Sequence, residues 1–321
     1  MSDKRNVLVT GGAGFIGSHL VERLLADGAS VTVIDNFSTG RRENLQAVAA
    51  CPGLRVIESE VSSCSELPEL AAEAGFIFHL AAAVGVDLVV KSPIHTIQNN
   101  LHETEAVLEA ASASRTPVLI TSTSEVYGKS QKPEFAETDD LLIGPPHLGR
   151  WSYACSKLMD EFLALAYAQE KSLPVTIARL FNTVGPRQVG HYGMVLPRFI
   201  AAAKRGEPLR VFGDGRQKRC FCFVGDTVEA LVRLQNSAAA RGEVFNVGST
   251  DEISIGELAA LVIRTLGSRS KIEFVPYHEA YAPGFEDMQR RRPLVEKLFK
   301  AVAFRPQTPL EKIIQITAEI F

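Results

Sequence analysis

The chain has 321 residues, 46% hydrophobic and 22% charged, with a formal net charge of -3. That length buries one large core or two smaller ones, and the slightly acidic balance gives no broad basic field for nucleic acid. No stretch of about 18 uninterrupted apolar residues occurs, so no membrane span is expected.

Residues 1–5 run straight into a β-branched segment, Val7–Thr10, which is too short and lacks the cleavage site for a signal peptide. Further short apolar runs stand at Val31–Ile34, Leu54–Ile57, Phe76–Leu80 and Val118–Thr121. Helical patterns separate several of them, among them Gly17–Leu25 with Ile16, Leu20 and Leu24 at helical spacing. Strand and helix in alternation predict a parallel, doubly wound α/β sheet of the Rossmann type, covered on both faces. Long helices are predicted over Asn99–Ala113 and Tyr153–Gln169, with a strand at Val175–Leu180. Beyond about residue 180 glycine and proline become frequent and elements shorten, which suits a ligand-binding region built on loops. The expected division is therefore 1–180 for the Rossmann domain and 181–321 mainly for a smaller substrate-binding region. Late segments such as Val244–Val247 are expected to return to the main sheet.

The first chemical signal is Gly11-Gly12-Ala13-Gly14-Phe15-Ile16-Gly17, between a strand and a helix. Glycines there let the backbone approach a pyrophosphate, and the helix N-terminus offers amide groups and positive dipole. Asp35 ends the second strand, close to the position of an acid that takes an adenosine ribose hydroxyl. A carboxylate there repels a 2′-phosphate, so NAD is expected over NADP, with Arg41 and Arg42 nearby to soften that preference.

The second signal is Tyr153 and Lys157, four apart on one helical face. An ammonium beside a phenol is expected to lower the tyrosine pKa and fit it to take a proton from a sugar hydroxyl. Thr121-Ser122-Thr123-Ser124-Glu125 places hydroxyls at the carboxyl edge of the sheet, where one shares the substrate's hydrogen bond with Tyr153, and Ser124 and Glu125 face the sugar. The five cysteines are odd in number and scattered, which suits a reducing cytoplasm. Cys220-Phe221-Cys222 has no second pair at zinc spacing, so no metal is expected. None of the histidines His79, His95, His102, His147, His191 and His278 stands in a paired motif.

These residues together resemble the extended short-chain dehydrogenase/reductases, within the NAD-dependent nucleotide-sugar epimerase/dehydratase family. His79-Leu80-Ala81-Ala82, Arg179-Leu180-Phe181-Asn182 and Gly213-Asp214-Gly215-Arg216-Gln217 complete the family order. The resemblance implies that Gly11, Gly14, Phe15, Ile16, Gly17, Asp35, Asn36, Leu80, Ala81, Ala82, Asn100, Tyr153 and Lys157 surround NAD. It implies Thr123 as the catalytic hydroxyl, Tyr153 as the base and Lys157 as the ribose-binding lysine. Asn182 then lies by the sugar diphosphate, Arg219 near the phosphates or the sugar, and Leu196 by the nucleobase. It also implies a homodimer through the two long helices, with Leu101, Val107, Leu108 and Ala111 on one and Leu158, Phe162, Leu165 and Ala166 on the other. Three positions depart from the family pattern: Ser59-Glu60-Val61 in place of an adenine-binding Asp, Glu103 where glycine is frequent, and Leu294 where an aspartate often follows the proline.

The chemistry divides at a 4-keto sugar. A 4,6-dehydratase needs an Asp–Glu pair after the threonine; Ser124 replaces the Asp, and a hydroxyl is a poor general acid. Thr123-Ser124-Glu125-Val126-Tyr127-Gly128 resembles UDP-glucuronate decarboxylases. Arg150-Trp151-Ser152-Tyr153 and Gln217-Lys218-Arg219-Cys220-Phe221 resemble those of lipid A modification and the plant UDP-apiose/xylose synthases. On that resemblance Ser124 and Arg219 meet a sugar carboxylate and Glu125 assists at C5. UDP-glucuronate decarboxylase is the leading expectation and UDP-sugar 4-epimerase, acting on UDP-glucose or UDP-glucuronate, the alternative. A 4,6-dehydratase and a non-catalytic dinucleotide-binding protein trail behind.

Overall fold

The computed structural model describes residues 6–82, 92–188, 194–276, 279 and 290–321. In chain order its first half holds β1 (Asn6–Thr10), α1 (Phe15–Ala26), β2 (Ser30–Asp35), β3 (Leu54–Glu58), α2 (Leu67–Glu73), β4 (Phe76–His79), α3 (Pro93–Ser114), β5 (Val118–Thr123), α4 (Trp151–Lys171) and β6 (Val175–Leu180). There follow β7 (Thr183–Val184), α5 (Val195–Arg205), β8 (Leu209–Phe212), β9 (Lys218–Cys220), β10 (Cys222–Phe223), α6 (Val224–Gln235), β11 (Glu243–Val247), β12 (Glu252–Ser254), α7 (Ile255–Leu266), β13 (Ile272–Val275), α8 (Glu296–Val302) and α9 (Leu310–Ala318).

A seven-stranded sheet runs in the order β11-β6-β5-β4-β1-β2-β3, every neighbouring pair parallel. The period of two along a strand sends alternate side chains to opposite faces. In β1, Val7 and Val9 join Leu20, Val21 and Leu24 of α1 and Leu231 of α6 on one face. Leu8 between them joins Ile34, Ile77, Val107 and Leu108 on the other, under α3 and α4. Each such fully buried side chain contributes on the order of 2 kcal/mol. Coverage on both faces thins at the β3 edge, which leaves Arg55, Val56 and Glu58 exposed.

A second core gathers Phe199, Val211, Leu258, Leu261 and Ile313 from α5, β8, α7 and α9. Helix α7 starts from a reciprocal cap in which Ser254 and Glu257 satisfy each other's backbone amides. The late chain is woven back: β11 pairs with β6, and Leu298 of α8 enters the α1 face of the first core. Among the described residues no helix is long and apolar enough to cross a membrane.

The strand order reverses between β1 and β4. Both strands, with β2 and β5, point their carboxyl ends into one crevice, the position where open α/β sheets take ligands.

Candidate active site

That crevice is a cleft of about 630 Å³, bounded by the ends of β1, β2, β4 and β5 on one side and by α5, β8 and β9 on the other. Its size lies in the range of small-molecule and cofactor sites.

The dinucleotide end is set by close backbone approach. Gly11 has φ +70°, and a Cβ there would lie 2.7 Å from the Ala81 amide nitrogen. A Cβ on Gly17 would lie 2.1 Å from the Gly11 carbonyl oxygen. Only glycine fits either place, and the cradle so formed matches a pyrophosphate against a helix start. Helix α1 begins at Gly14 with no side-chain cap, which leaves its first-turn amides to a ligand.

Asp35 holds this loop. Its carboxylate accepts from the Ala13 and Phe37 amides, both at 2.8 Å, and it faces the cleft. Burial raises its pKa, partly offset by those two hydrogen bonds. Phe15, Ile16, Asn36, Leu80, Ala81 and Ala82 line the cleft beside it. Arg42 stacks on the Phe37 ring at 4.2 Å and pairs with Glu58, and neither Arg41 nor Arg42 lines the cleft. Asn100, expected beside the cofactor, is buried behind the wall formed by its neighbours Asn99 and Glu103, and its amide donates to Ser156 Oγ at 3.0 Å. The buried Glu103 carboxylate accepts from the Val61 amide at 2.6 Å, the Ser62 amide at 3.3 Å and the Ser62 hydroxyl at 2.8 Å. It thereby fixes the turn after β3, whose Ser59, Glu60 and Val61 close that end of the cleft.

At the centre, Thr123, Ser124, Glu125, Tyr153 and Lys157 converge. The Thr123 hydroxyl caps the short 3₁₀ turn Ser124–Tyr127, accepting from the Glu125 amide, and hydrogen-bonds the Tyr153 phenol. Ser124 is buried, and its hydroxyl makes no hydrogen bond. Burial would raise the Glu125 carboxyl, but Arg291 and Arg150, each at 3.2 Å, outweigh it and hold the pKa below the usual range.

Tyr153 does not behave as its neighbour Lys157 led the sequence to suggest. Burial, then Glu125 and Asp160, push its phenol above the ordinary tyrosine value, and the Thr123 hydrogen bond and Arg291 do not offset them. The Lys157 ammonium is instead paired with buried Asp160 at 2.8 Å.

The substrate end carries Asn182, Leu196 and Arg219 on its wall. Asn182 donates to the Cys220 carbonyl at 2.9 Å and accepts from Arg291 at 3.4 Å. Arg219 is nearly buried and donates to the Lys218 carbonyl at 2.8 Å. Met194, Val195, Pro197 and Arg198 stand around Leu196, with Arg198 stacked over Phe212 at 4.3 Å. Cys220 and Cys222 line strands β9 and β10, their buried thiols pushed up to about 12.

Of the histidines, His79 is buried between Thr10 Oγ1 at 2.8 Å and Thr104 Oγ1 at 3.1 Å, and burial lowers it to about 3. His95 lines the cleft, His102 and His147 are exposed, and His191 and His278 lie outside the described residues. Sequence reasoning missed Arg291, Asp160 and the clamp made by Glu103, and quoted Arg150 only as part of a motif. Arg291 stands 166 residues from its partner Glu125, so no local pattern reveals it.

Beneath the site, Arg179 forks onto Glu161 at 2.7 Å and donates to the Tyr127 hydroxyl at 3.0 Å, which donates to Asn246 at 2.7 Å. Ser122 donates to the same Glu161 at 2.5 Å. This buried network ties α4, β5, β6 and β11 into one floor.

Comparison with known proteins agrees with this geometry. A UDP-N-acetyl-alpha-D-glucosaminuronate decarboxylase of Bacillus cytotoxicus is 41% identical over 319 residues, covering 99% of this chain and 98% of the relative. UDP-glucuronic acid decarboxylase 1 of Danio rerio is 36% identical, covering 99% of this chain and 73% of the relative. The solved UDP-glucuronic acid 4-epimerase of Bacillus cereus, in complex with UDP-glucuronic acid and NAD, matches with a TM-score of 0.87 at 27% identity over 98% of both chains. The family model described as NAD dependent epimerase/dehydratase matches residues 7–248. On that match, and on the full-length relatives, the chain belongs to the NAD-dependent epimerase/dehydratase family, an enzyme family.

Proposed function

We propose that the chain is an NAD-dependent decarboxylase of a UDP-linked hexuronate, with UDP-glucuronate as its first candidate substrate. The observation that carries this reading is Ser124-Glu125, set between Arg150 and Arg291 beside Tyr153. That constellation offers a carboxylate of the substrate a hydroxyl and cations, and it sets a carboxyl, Glu125, where it would serve protonation at C5, a step that a 4-epimerase does not take.

Bound NAD would supply the hydride acceptor at C4. Gly11, Gly14 and Gly17 would seat its pyrophosphate, Asp35 and Asn36 its adenosine ribose, and Leu80 to Ala82 its inner flank. Tyr153 would take the sugar hydroxyl proton, sharing that hydrogen bond with Thr123, and Lys157 would hold the nicotinamide ribose. Asn182 would meet the diphosphate, and Leu196 the base. Residues 1–180 would serve the cofactor, and 181–321 mainly the sugar nucleotide.

A 4-keto sugar with a C5 carboxylate is a β-keto acid, and it loses carbon dioxide to leave an enolate. Ser124, Arg219 and Arg291 would receive that carboxylate. A substrate anion on Arg291 withdraws the charge that holds Glu125 ionised, so the Glu125 carboxyl rises toward neutral. A proton taken there from solvent would then pass to C5. Glu125 acts as an acid only with substrate bound, since without it the two arginines keep the proton off.

The curated relatives differ at C2 of the sugar, one named for a 2-acetamido hexuronate and others for glucuronate. The deciding experiment incubates the enzyme with NAD and UDP-glucuronate, UDP-N-acetylglucosaminuronate or UDP-glucose and reads the products by mass spectrometry. Loss of the mass of carbon dioxide from a hexuronate supports the proposal. An isomer of unchanged mass from any of the three assigns a 4-epimerase.

We also propose a homodimer. The apolar stripe expected on α3 is spent inside: Val107, Leu108 and Ala111 lie in the chain's own core, because that face of the helix looks onto the sheet. Ile94, Ile97, Met159 and Phe162 are the large apolar side chains that α3 and α4 leave exposed, Phe162 at 62%. A second copy would cover them. Its five free cysteines suit the cytoplasm.

A further inference from the structure

Helix α4 carries a buried carboxylate that the reaction proposed above does not use. Asp160 has no exposed surface, and one of its oxygens accepts from Lys157 Nζ at 2.8 Å. Among the described residues its other oxygen makes no hydrogen bond, and Lys157 together with a hydrogen bond from the Thr104 hydroxyl offsets its burial only in part. A buried ion pair with one oxygen unsatisfied is costly to keep, and its partner here is the ammonium beside Tyr153.

The neighbours leave Asp160 no other cation. On α4 itself, Glu161 is committed to Arg179 of β6 at 2.7 Å and adds a like charge. From α3 comes the Thr104 hydroxyl, which bonds Asp160 and His79 of β4. His79 faces Lys157 and is neutral, so it brings no charge. On the phenol side stand Glu125, with Arg150 and Arg291 paired to it, and the Thr123 hydroxyl. Burial, Glu125 and Asp160 raise the Tyr153 phenol, while the Thr123 hydrogen bond and Arg291 oppose them.

We infer that Asp160 is a positioning residue that neutralises Lys157 in the resting enzyme, so that Tyr153 keeps its proton until the cationic nicotinamide ring is seated against it. The inference rests on the reading of Tyr153 as the base. In that reading the phenol first gives its proton to solvent. The phenolate then takes the proton of the sugar C4 hydroxyl while the C4 hydrogen leaves with its electron pair for oxidised NAD, which is reduced. Asp160 delays the first of these events and coordinates nothing in the second.

The test needs no turnover. Tyrosinate absorbance is titrated in the free enzyme, with Tyr153→Phe as the blank, for the wild type and for Asp160→Asn. With Asp160 replaced, Lys157 keeps an uncompensated charge, and the Tyr153 titration moves at least one pH unit downward, tenfold more phenolate at a given pH. Asp160→Val, which fills the site without a polar atom, gives the same reading if the asparagine variant folds poorly. The acidic limb of kcat/KM moves in the same direction. Unchanged titration in a folded variant that binds NAD as the wild type does overturns the inference. Because no substrate is present, that result stays separate from any failure of decarboxylation, which would bear on the proposed function instead.

Discussion

Glu125 and Arg291 lie 166 residues apart in the chain and meet as an ion pair 3.2 Å long on the wall of the cleft. Arg291 is the largest influence opposing burial of that carboxyl. In Arg291→Met the Glu125 pKa rises toward neutrality. A carboxyl whose folded pKa is depressed gives stability above its unfolded value and loses it as pH falls through the folded one, so this variant loses that support. The kcat/KM at pH 7 falls at least about tenfold, and its acid limb moves to higher pH than in the wild type. A wild-type profile in this variant removes Arg291 from the site.

Tyr153→Phe separates chemistry from binding. The phenol hydrogen-bonds Thr123, and its loss leaves no comparable base on the described wall. The expected fall in kcat is about 10²- to 10⁴-fold, with the dissociation constant for NAD changed only a few-fold. Stopped-flow and NAD fluorescence titration measure the two separately, and near-normal turnover would assign the base elsewhere.

Asp35→Ala strips two backbone amides, those of Ala13 and Phe37, of their acceptor. Leaving such groups unpaired costs about 1–3 kcal/mol each at most, and the glycine loop loosens with them. NAD affinity falls at least about tenfold by isothermal titration while far-ultraviolet dichroism stays that of the wild type. Retained affinity would show that the cradle holds without this carboxylate.

His79 makes acid stability a local matter. Its folded pKa is about 3, below the ordinary 6.5. A lowered value means that unfolding takes up a proton, so the contribution is full above pH 6.5 and drains as pH falls toward 3. The slope from this one group approaches about 1.4 kcal/mol per pH unit. His79→Gln, which keeps a donor and an acceptor for Thr10 and Thr104, flattens the dependence of the urea midpoint over that window. An equally steep variant would place the acid sensitivity on other groups.

Phe162→Glu addresses assembly. Its ring is 62% exposed on α4, near exposed Met159. Sedimentation of the wild type at the mass of two chains and of the variant at one supports the shared helical face; a variant that still pairs moves the interface elsewhere.

The architecture was legible because it depends on local periodicity. Val7–Thr10, Val175–Leu180 and the return of Val244–Val247 were placed from runs of β-branched residues, and each lies in the observed sheet. The glycine cradle was legible for a related reason: φ and close approach are written in single residues. The helical stripes misled, since Val107 and Leu108 read alike whether they meet the sheet or a partner. Charge was the least legible. Lys157 beside Tyr153 promised an easier phenol, but Asp160, one turn further on, cancels it, and only coordinates show which partner an ammonium chooses. Arg291 reaches its place through the late chain, and no spacing rule connects it to Glu125.

The strand β11 has a consequence for how the molecule is made. It is the last strand added to the sheet, yet it lies against β6 and supplies Asn246 to Tyr127 and through it to Arg179. A nascent chain ending near residue 180 would present β6 as an open edge, with Phe245 and Val247 missing from the hydrophobic layer. Residues 1–180 alone would therefore leave the β6 edge without its neighbouring strand. Ribosomal synthesis must pass residue 247 before the β6 edge is covered.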